Sequence, residues 1–303
     1  MELLHSADRA SKPYNRIIGK IFGSMSTLDL ADEYYIAGYQ LQLEANCEKA
    51  LEAYNKAIRY YTKVRDNEKI RKMYLLVAEC YEHLQNYSNA IVYYCNYLNT
   101  YPDSILCRAD VYEKIAKNYG CLKDNEANIR YTMIACNLYE QLGINLSVQR
   151  CLKKIVEVYT RMGEMQNIIN VYQAKVESEC RKNGKMYIRY CAVVTLYRML
   201  IHDNTSVARH YLNHYACQSS TFASSKMNTF LNTIAECIDS GSADPSKFPE
   251  GIDSNDAERF KNTVRSAFLK DTYEGVGDVL IHDDMTEILE KIRVKIISTK
   301  QLG

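Results

Sequence analysis

Along this chain apolar residues recur at three- and four-residue steps, and that pattern itself recurs at about 40 residues. Its clearest instance is Asn46 to Tyr61. Ala50, Leu51, Tyr54, Ala57 and Ile58 fall on one helical face, while Glu48, Lys49, Glu52, Lys56 and Arg59 fall on the other. Ala50, Ala53 and Ala57 are small enough to admit a neighbouring helix, and the tyrosines fill the space beside it. The same beat returns at Asn89 to Tyr94, Ala127 to Tyr131, Asn167 to Tyr172 and Ser206 to Leu212. Ala50, Ala90, Ile129, Ile168 or Ile169, and Ala208 mark it, at the period of a helix-pair repeat.

The pattern predicts five helix hairpins: 27–43 with 46–61, 69–84 with 86–101, 103–121 with 125–142, 145–162 with 164–180, and 186–202 with 204–217. Asp29, Asp32 and Glu33 give the first helix an acidic first turn. Pro102, Gly143, Gly163 and Gly184 punctuate the later joints. Before the hairpins stand a short amphipathic helix over 1–15, broken at Pro13, and the apolar cluster Ile17, Ile18, Ile21 and Phe22, interrupted by Gly19 and followed by Gly23. On their residues alone these four fold back onto the first hairpin or form an exposed greasy loop. After the hairpins the beat stops. Helices are predicted over 222–238, 255–270, 273–281 and 284–297, with a breaker-rich loop at 239–251 to which the sequence gives no role. The expected fold is all-α: a right-handed solenoid of tetratricopeptide-like hairpins (27–218), an N-terminal helix and loop (1–26), and a C-terminal helical bundle cap (219–303).

Composition narrows the function. Of 303 residues 47% are hydrophobic, and only 4 are proline and 12 glycine, which suits long helices with short joints. The 26 tyrosines at helical spacing read as inter-helix packing with a wet hydroxyl. A net charge of +1 argues against a nucleic-acid binder. The 11 cysteines are scattered, and Cys80, Cys95, Cys136, Cys151 and Cys191 sit inside apolar patterns, as expected of reduced thiols in a cytoplasmic protein. No signal peptide and no membrane-length apolar run is expected. There is no phosphate-binding glycine loop, zinc motif or nucleophile elbow. His210 and His214 share a helical face, but no third ligand completes a site. No enzyme, metal or cofactor is expected.

The order of parts resembles the soluble NSF attachment proteins, most densely over Ile17 to Gly23, Val148 to Lys154 and Asp284 to Ile296. The resemblance spans nearly the whole chain and includes a leucine one place from the end, Leu302. It implies an adaptor that wraps an assembled SNARE four-helix bundle and recruits and stimulates the hexameric ATPase NSF in vesicle fusion, ER–Golgi and other intracellular protein transport. The protein would be monomeric when free, with several copies per SNARE complex.

Three surfaces follow from the resemblance. Ile17 and Ile18, with Ile21 and Phe22, take the place of a membrane-contact loop flanked by Lys12, Arg16 and Lys20, a weak anchor that makes the protein peripherally membrane-associated. Arg108 and Arg150 match SNARE-binding lysines of the family; Lys154 lies one turn beyond, and Lys153, Arg161 and Arg189 rank below them. Asp283, Asp284, Glu287 and Leu302 match an NSF-facing end, although the acids serve equally as helix-dipole partners and the final residues lack the family's acidic tail. The rival reading is a generic tetratricopeptide scaffold or co-chaperone that binds peptide C-termini. Its usual period of 34 is shorter than the beat seen here.

Overall fold

The computed structural model describes residues 2–10, 26–100, 104–180, 185–202 and 204–240, together with Ile288, Lys291, Ile292 and Val294. The predicted segments 16–25, 255–270 and 273–281 lie outside the described residues. So do most of 239–251 and of 284–297. Every element among the described residues is a helix. Two compact units divide the chain, Met1–Ile144 and Asn145–Gly303.

In the first unit α1 (Glu2–Ala10) is followed by three hairpins: α2 (Thr27–Leu43) with α3 (Cys47–Val64), α4 (Asn67–His83) with α5 (Tyr87–Asn99), and α6 (Ile105–Cys121) with α7 (Asn125–Gln141). Each helix packs on the next in sequence, as in a solenoid. Ala50, Ala53, Tyr54 and Ala57 of α3 are fully buried, as their spacing predicts. Ile129 is only half-buried; Ala127 and Thr132 take the inward positions of α7. The left-handed joints at Ala45, Gln85, Lys123 and Gly163 are separated by 40, 38 and 40 residues, so Ile129 aligns with the buried Ile91 and Leu51 yet is less covered than either.

The joints at Ala45, Gln85 and Lys123 share one construction. The Asn46 N–H reaches the Leu41 carbonyl at 2.8 Å and the Ala45 N–H reaches Gln42 at 2.9 Å, which closes α2 in a Schellman motif. Asn46 then turns its own Oδ1 to the Lys49 N–H and starts α3. Asp66, Asn86 and Asp124 repeat this double role at the next joints. One residue therefore ends one helix and caps another. Only a three-residue connection is needed, and the hairpins stay tight.

Tyrosines register the stack. Tyr93 of α5 sits between Tyr74 and Tyr81 of α4, tilted against the first and stacked on the second, with centroids at 6.1 and 5.5 Å. Thirty-eight residues on, Tyr131 of α7 sits between Tyr112 and Tyr119 of α6 at 6.2 and 5.3 Å. Ion pairs link successive hairpins: Lys69 to Asp32 at 2.6 Å and Lys114 to Glu79 at 2.6 Å.

The second unit contains α8 (Asn145–Met162), α9 (Met165–Glu179), α10 (Lys185–Ile201), α11 (Ser206–Gln218), α12 (Ser220–Ala223) and α13 (Lys226–Ser240). Here α10 is the centre. It buries Tyr187, Ile188, Tyr190, Val193, Leu196 and Met199 around most of its circumference, as a core helix must. It packs on α9, where Tyr172 meets Tyr190 at 5.9 Å, and on α11 and α13. The single helix expected over 222–238 is two, α12 and α13. Ser219 Oγ caps α12 at the Phe222 N–H, and Ser225 Oγ caps α13 at the Asn228 N–H, so the chain turns between them. Phe222 is thereby buried against the rings of Tyr187 and Tyr215.

Candidate functional site

The candidate cations fall on three helices, and exposure separates them. Ser104 caps α6 through its Oγ and the Cys107 N–H. This sets Arg108 in the first turn, half-buried, beside Ala109 and Val111, which face inward. In the second unit α8 buries Val148, Cys151, Leu152, Ile155 and Val158. Arg150 is left exposed, with Lys153 and Lys154 half-exposed three and four positions on and Arg161 exposed beyond them. Arg150 Nη2 lies 3.4 Å from Ser147 Oγ, and Arg161 Nε donates to the Glu157 carbonyl at 3.3 Å. The arrangement is a cationic helix face that can meet carboxylates from solvent.

Arg189 is different. It sits on α10 at 7% exposure, and burial pulls its guanidinium below the usual arginine range. Its Nη1 lies 4.0 Å from Met186 Sδ, which Gln149 Nε2 also approaches at 3.6 Å. Arg189, ranked among the lesser surface candidates, is instead enclosed by its own unit, because α10 is covered on nearly every side.

Ile17, Ile18, Ile21 and Phe22 lie outside the described residues, as do Asp283, Asp284, Glu287 and Leu302. Within the last predicted helix Ile288 and Ile292 are buried, one turn apart, and Lys291 and Val294 are exposed.

A polar seam between α4 and α6 escapes every motif rule. Lys114 pairs with Glu79, and Asn118 Nδ2 donates both to Glu82 and, at 2.8 Å, to the Lys114 carbonyl. Tyr94 lies against it, with the Lys114 ammonium 5.6 Å from its ring centroid. The partners are 35 and 36 residues apart, slightly less than the repeat, which is the one signal that betrays them.

Among the described residues no group of three His, Cys, Asp or Glu is placed to hold a metal. None of the described helices is long and apolar enough to cross a membrane. Cys80, Cys136, Cys151 and Cys191 are buried, and the Cys80 thiol is pushed up to about 12 chiefly by burial, the opposite of an activated nucleophile.

Tight hairpins stacked in sequence define a helical-repeat scaffold. The family model described as soluble NSF attachment protein matches residues 1–265. The chain belongs to that family, and its general role is that of an adaptor. No curated protein matches it. Solved structures with similar helical repeats include a Podosopora anserina kinesin light chain with TPR-like repeats (9% identity, 64% of this chain and 96% of that one, TM-score 0.39). Another is apo RapI (13% identity, 94% and 81%, TM-score 0.46). A third is a Rap protein complexed with competence and sporulation factor (14% identity, 96% and 85%, TM-score 0.38). At these values the all-helical repeat architecture rests on the hairpins themselves.

Proposed function

We propose that this chain binds assembled SNARE four-helix bundles and recruits and stimulates NSF to disassemble them, in vesicle-mediated transport between intracellular membranes. The observation that carries this reading is the family match over residues 1–265. The exposed basic face of α8 supports it. SNARE bundles present acidic outer faces, and Arg150, Lys153 and Lys154 offer charge at solvent, with Arg108 as a further contact. Exposed pairs contribute about 0–1 kcal/mol each, so such a face works by summation and weakens with salt. Arg189, being buried, is not part of the proposed surface. Ile17, Ile18, Ile21 and Phe22 provide a weak membrane contact that raises local concentration. Asp283, Asp284, Glu287 and Leu302 face NSF, and several copies act on one bundle.

The test is a pulldown of NSF and a soluble SNARE bundle in the presence of a non-hydrolysable nucleotide. Retention of both, lost on Arg150→Glu with Lys154→Glu at low salt, is expected. Retention of neither overturns the reading. Capture instead of a peptide with an acidic C-terminus identifies a tetratricopeptide scaffold.

A further inference from the structure

The net charge of +1 hides an uneven distribution within the first unit. Antiparallel hairpins have two edges, one at the joints inside each hairpin and one at the joints between hairpins. The start of α2, the α3–α4 joint and the start of α6 share the second edge. Leu28, Val64, Ile105 and Leu106 all lie there, each more than a third exposed. Lys63 and Arg65, both exposed, flank Val64, and Arg59 is exposed one turn up α3 from Lys63. Of the acids of this edge Glu68 is offset by a lysine, while Asp29 and Asp66 keep their charge as helix caps, where the positive end of the helix dipole offsets it in part. Asp29 accepts the Ser26 N–H, Asp66 accepts the Lys69 N–H, and Glu68 pairs with Lys72 at 2.8 Å. The first edge has its own exposed leucines, Leu43, Leu84 and Leu122, but there exposed Glu44, Glu48, Asp124 and Glu126 accompany exposed Lys123.

Apolar tips bracketed by cations match an anionic bilayer, where the cations meet headgroup phosphates and the tips enter the interface; apolar tips beside carboxylates do not. We propose that the edge carrying Leu28, Lys63, Val64, Arg65 and Leu106 is a second membrane-contact surface, built into the repeat stack and specific for anionic lipid. It rests on the reading that this chain meets a membrane, but not on residues 17–22. The partner is the bilayer surface, since apolar side chains interleaved with the cations would be idle against a soluble phosphate.

The experiment is co-sedimentation of the full chain with vesicles of phosphatidylcholine alone or with about a third phosphatidylserine. Three variants are compared with the parent, each shown by its thermal melt to be folded. Lys63→Gln with Arg65→Asn alters the proposed edge, and asparagine tolerates the left-handed backbone at residue 65 (φ 59°). Lys49→Gln with Lys123→Asn makes the same charge change at the other edge. Ile17→Ser with Ile18→Ser tests the N-terminal segment. Expected is a loss of about tenfold or more on anionic vesicles for the first variant, little for the second, and no difference between the first variant and the parent on neutral vesicles. Equal losses for the first two variants reduce the effect to net charge and overturn the proposal. Undiminished vesicle binding by the first variant also overturns it, as does a loss confined to soluble SNARE-bundle binding. If the third variant binds like the parent while the first does not, the N-terminal segment fails as an anchor and the edge stands.

Discussion

Tyr61 donates its hydroxyl to Asp32 at 2.5 Å across 29 residues, and Tyr139 donates to Asp110 at 2.6 Å across the same interval. In each case a tyrosine near the end of a hairpin's second helix reaches a carboxylate on the first. Burial, then the carboxylate bond, pushes the Tyr61 phenol well above the ordinary tyrosine range, which keeps it a donor at neutral pH. Lys69 holds the same Asp32 oxygen from α4, so one carboxylate closes a hairpin and joins it to the next.

Tyr61→Phe keeps the ring and removes the bond. It is expected to cost about 1 kcal/mol, and Tyr139→Phe a similar amount, read as a lower urea midpoint at unchanged slope. No loss in either would mean that water replaces the hydroxyl at no cost.

Gly38 is needed for a different reason. A Cβ there would lie 2.6 Å from Cε1 of the buried Tyr54 ring, whose hydroxyl is fixed on Gln42 at 2.7 Å. Gly38→Ala is expected to destabilise by about 1–3 kcal/mol through overpacking. Adding Tyr54→Leu should recover part of that cost, and a double-mutant cycle measures the coupling. Additive losses would show that the ring simply moves aside.

Four joints hold non-glycine residues at positive φ: Ala45, Arg65, Gln85 and Lys123. Gln85→Gly relieves backbone strain of about 1 kcal/mol, partly offset by the freedom glycine gains on unfolding. A small rise in Tm is expected. At Gly143, φ 69° with open space around the missing Cβ, alanine meets no clash and pays only the backbone strain, about 1 kcal/mol.

Acid should loosen both units. Burial raises Asp8, but hydrogen bonds from Lys56 and Tyr34 outweigh it and hold the carboxyl below its ordinary value. Asp239 is likewise raised by burial and lowered further by Thr205 and Arg209, which tie α13 to α11. With folded values below unfolded ones, these carboxylates stabilise the fold above the ordinary aspartate range. That contribution is lost as pH falls from about 4 through the folded values. Asp239→Asn should flatten part of the acid limb of stability against pH.

Arg189→Ala should act on stability, by about 2 kcal/mol or more, because the side chain is enclosed in its unit. Arg150→Ala, at an exposed position, should leave the melting temperature within a degree or two.

The sequence by itself determined the helices and their joints. A period of about 40 with asparagine, aspartate or glycine at each turn leaves the backbone few alternatives, since capping and left-handed turns are local chemistry. The same locality located Arg150 and Lys154 on one face of α8. Three matters needed the tertiary structure: the partial exposure of Ile129, the split at Ser225, and the burial of Arg189 in α10. Each depends on what packs against a residue from elsewhere in the chain. The charged seam between α4 and α6 and the basic edge at Lys63 and Arg65 belong there too. They arise only when helices 35 to 40 residues apart are stacked, and no pattern within one helix encodes them.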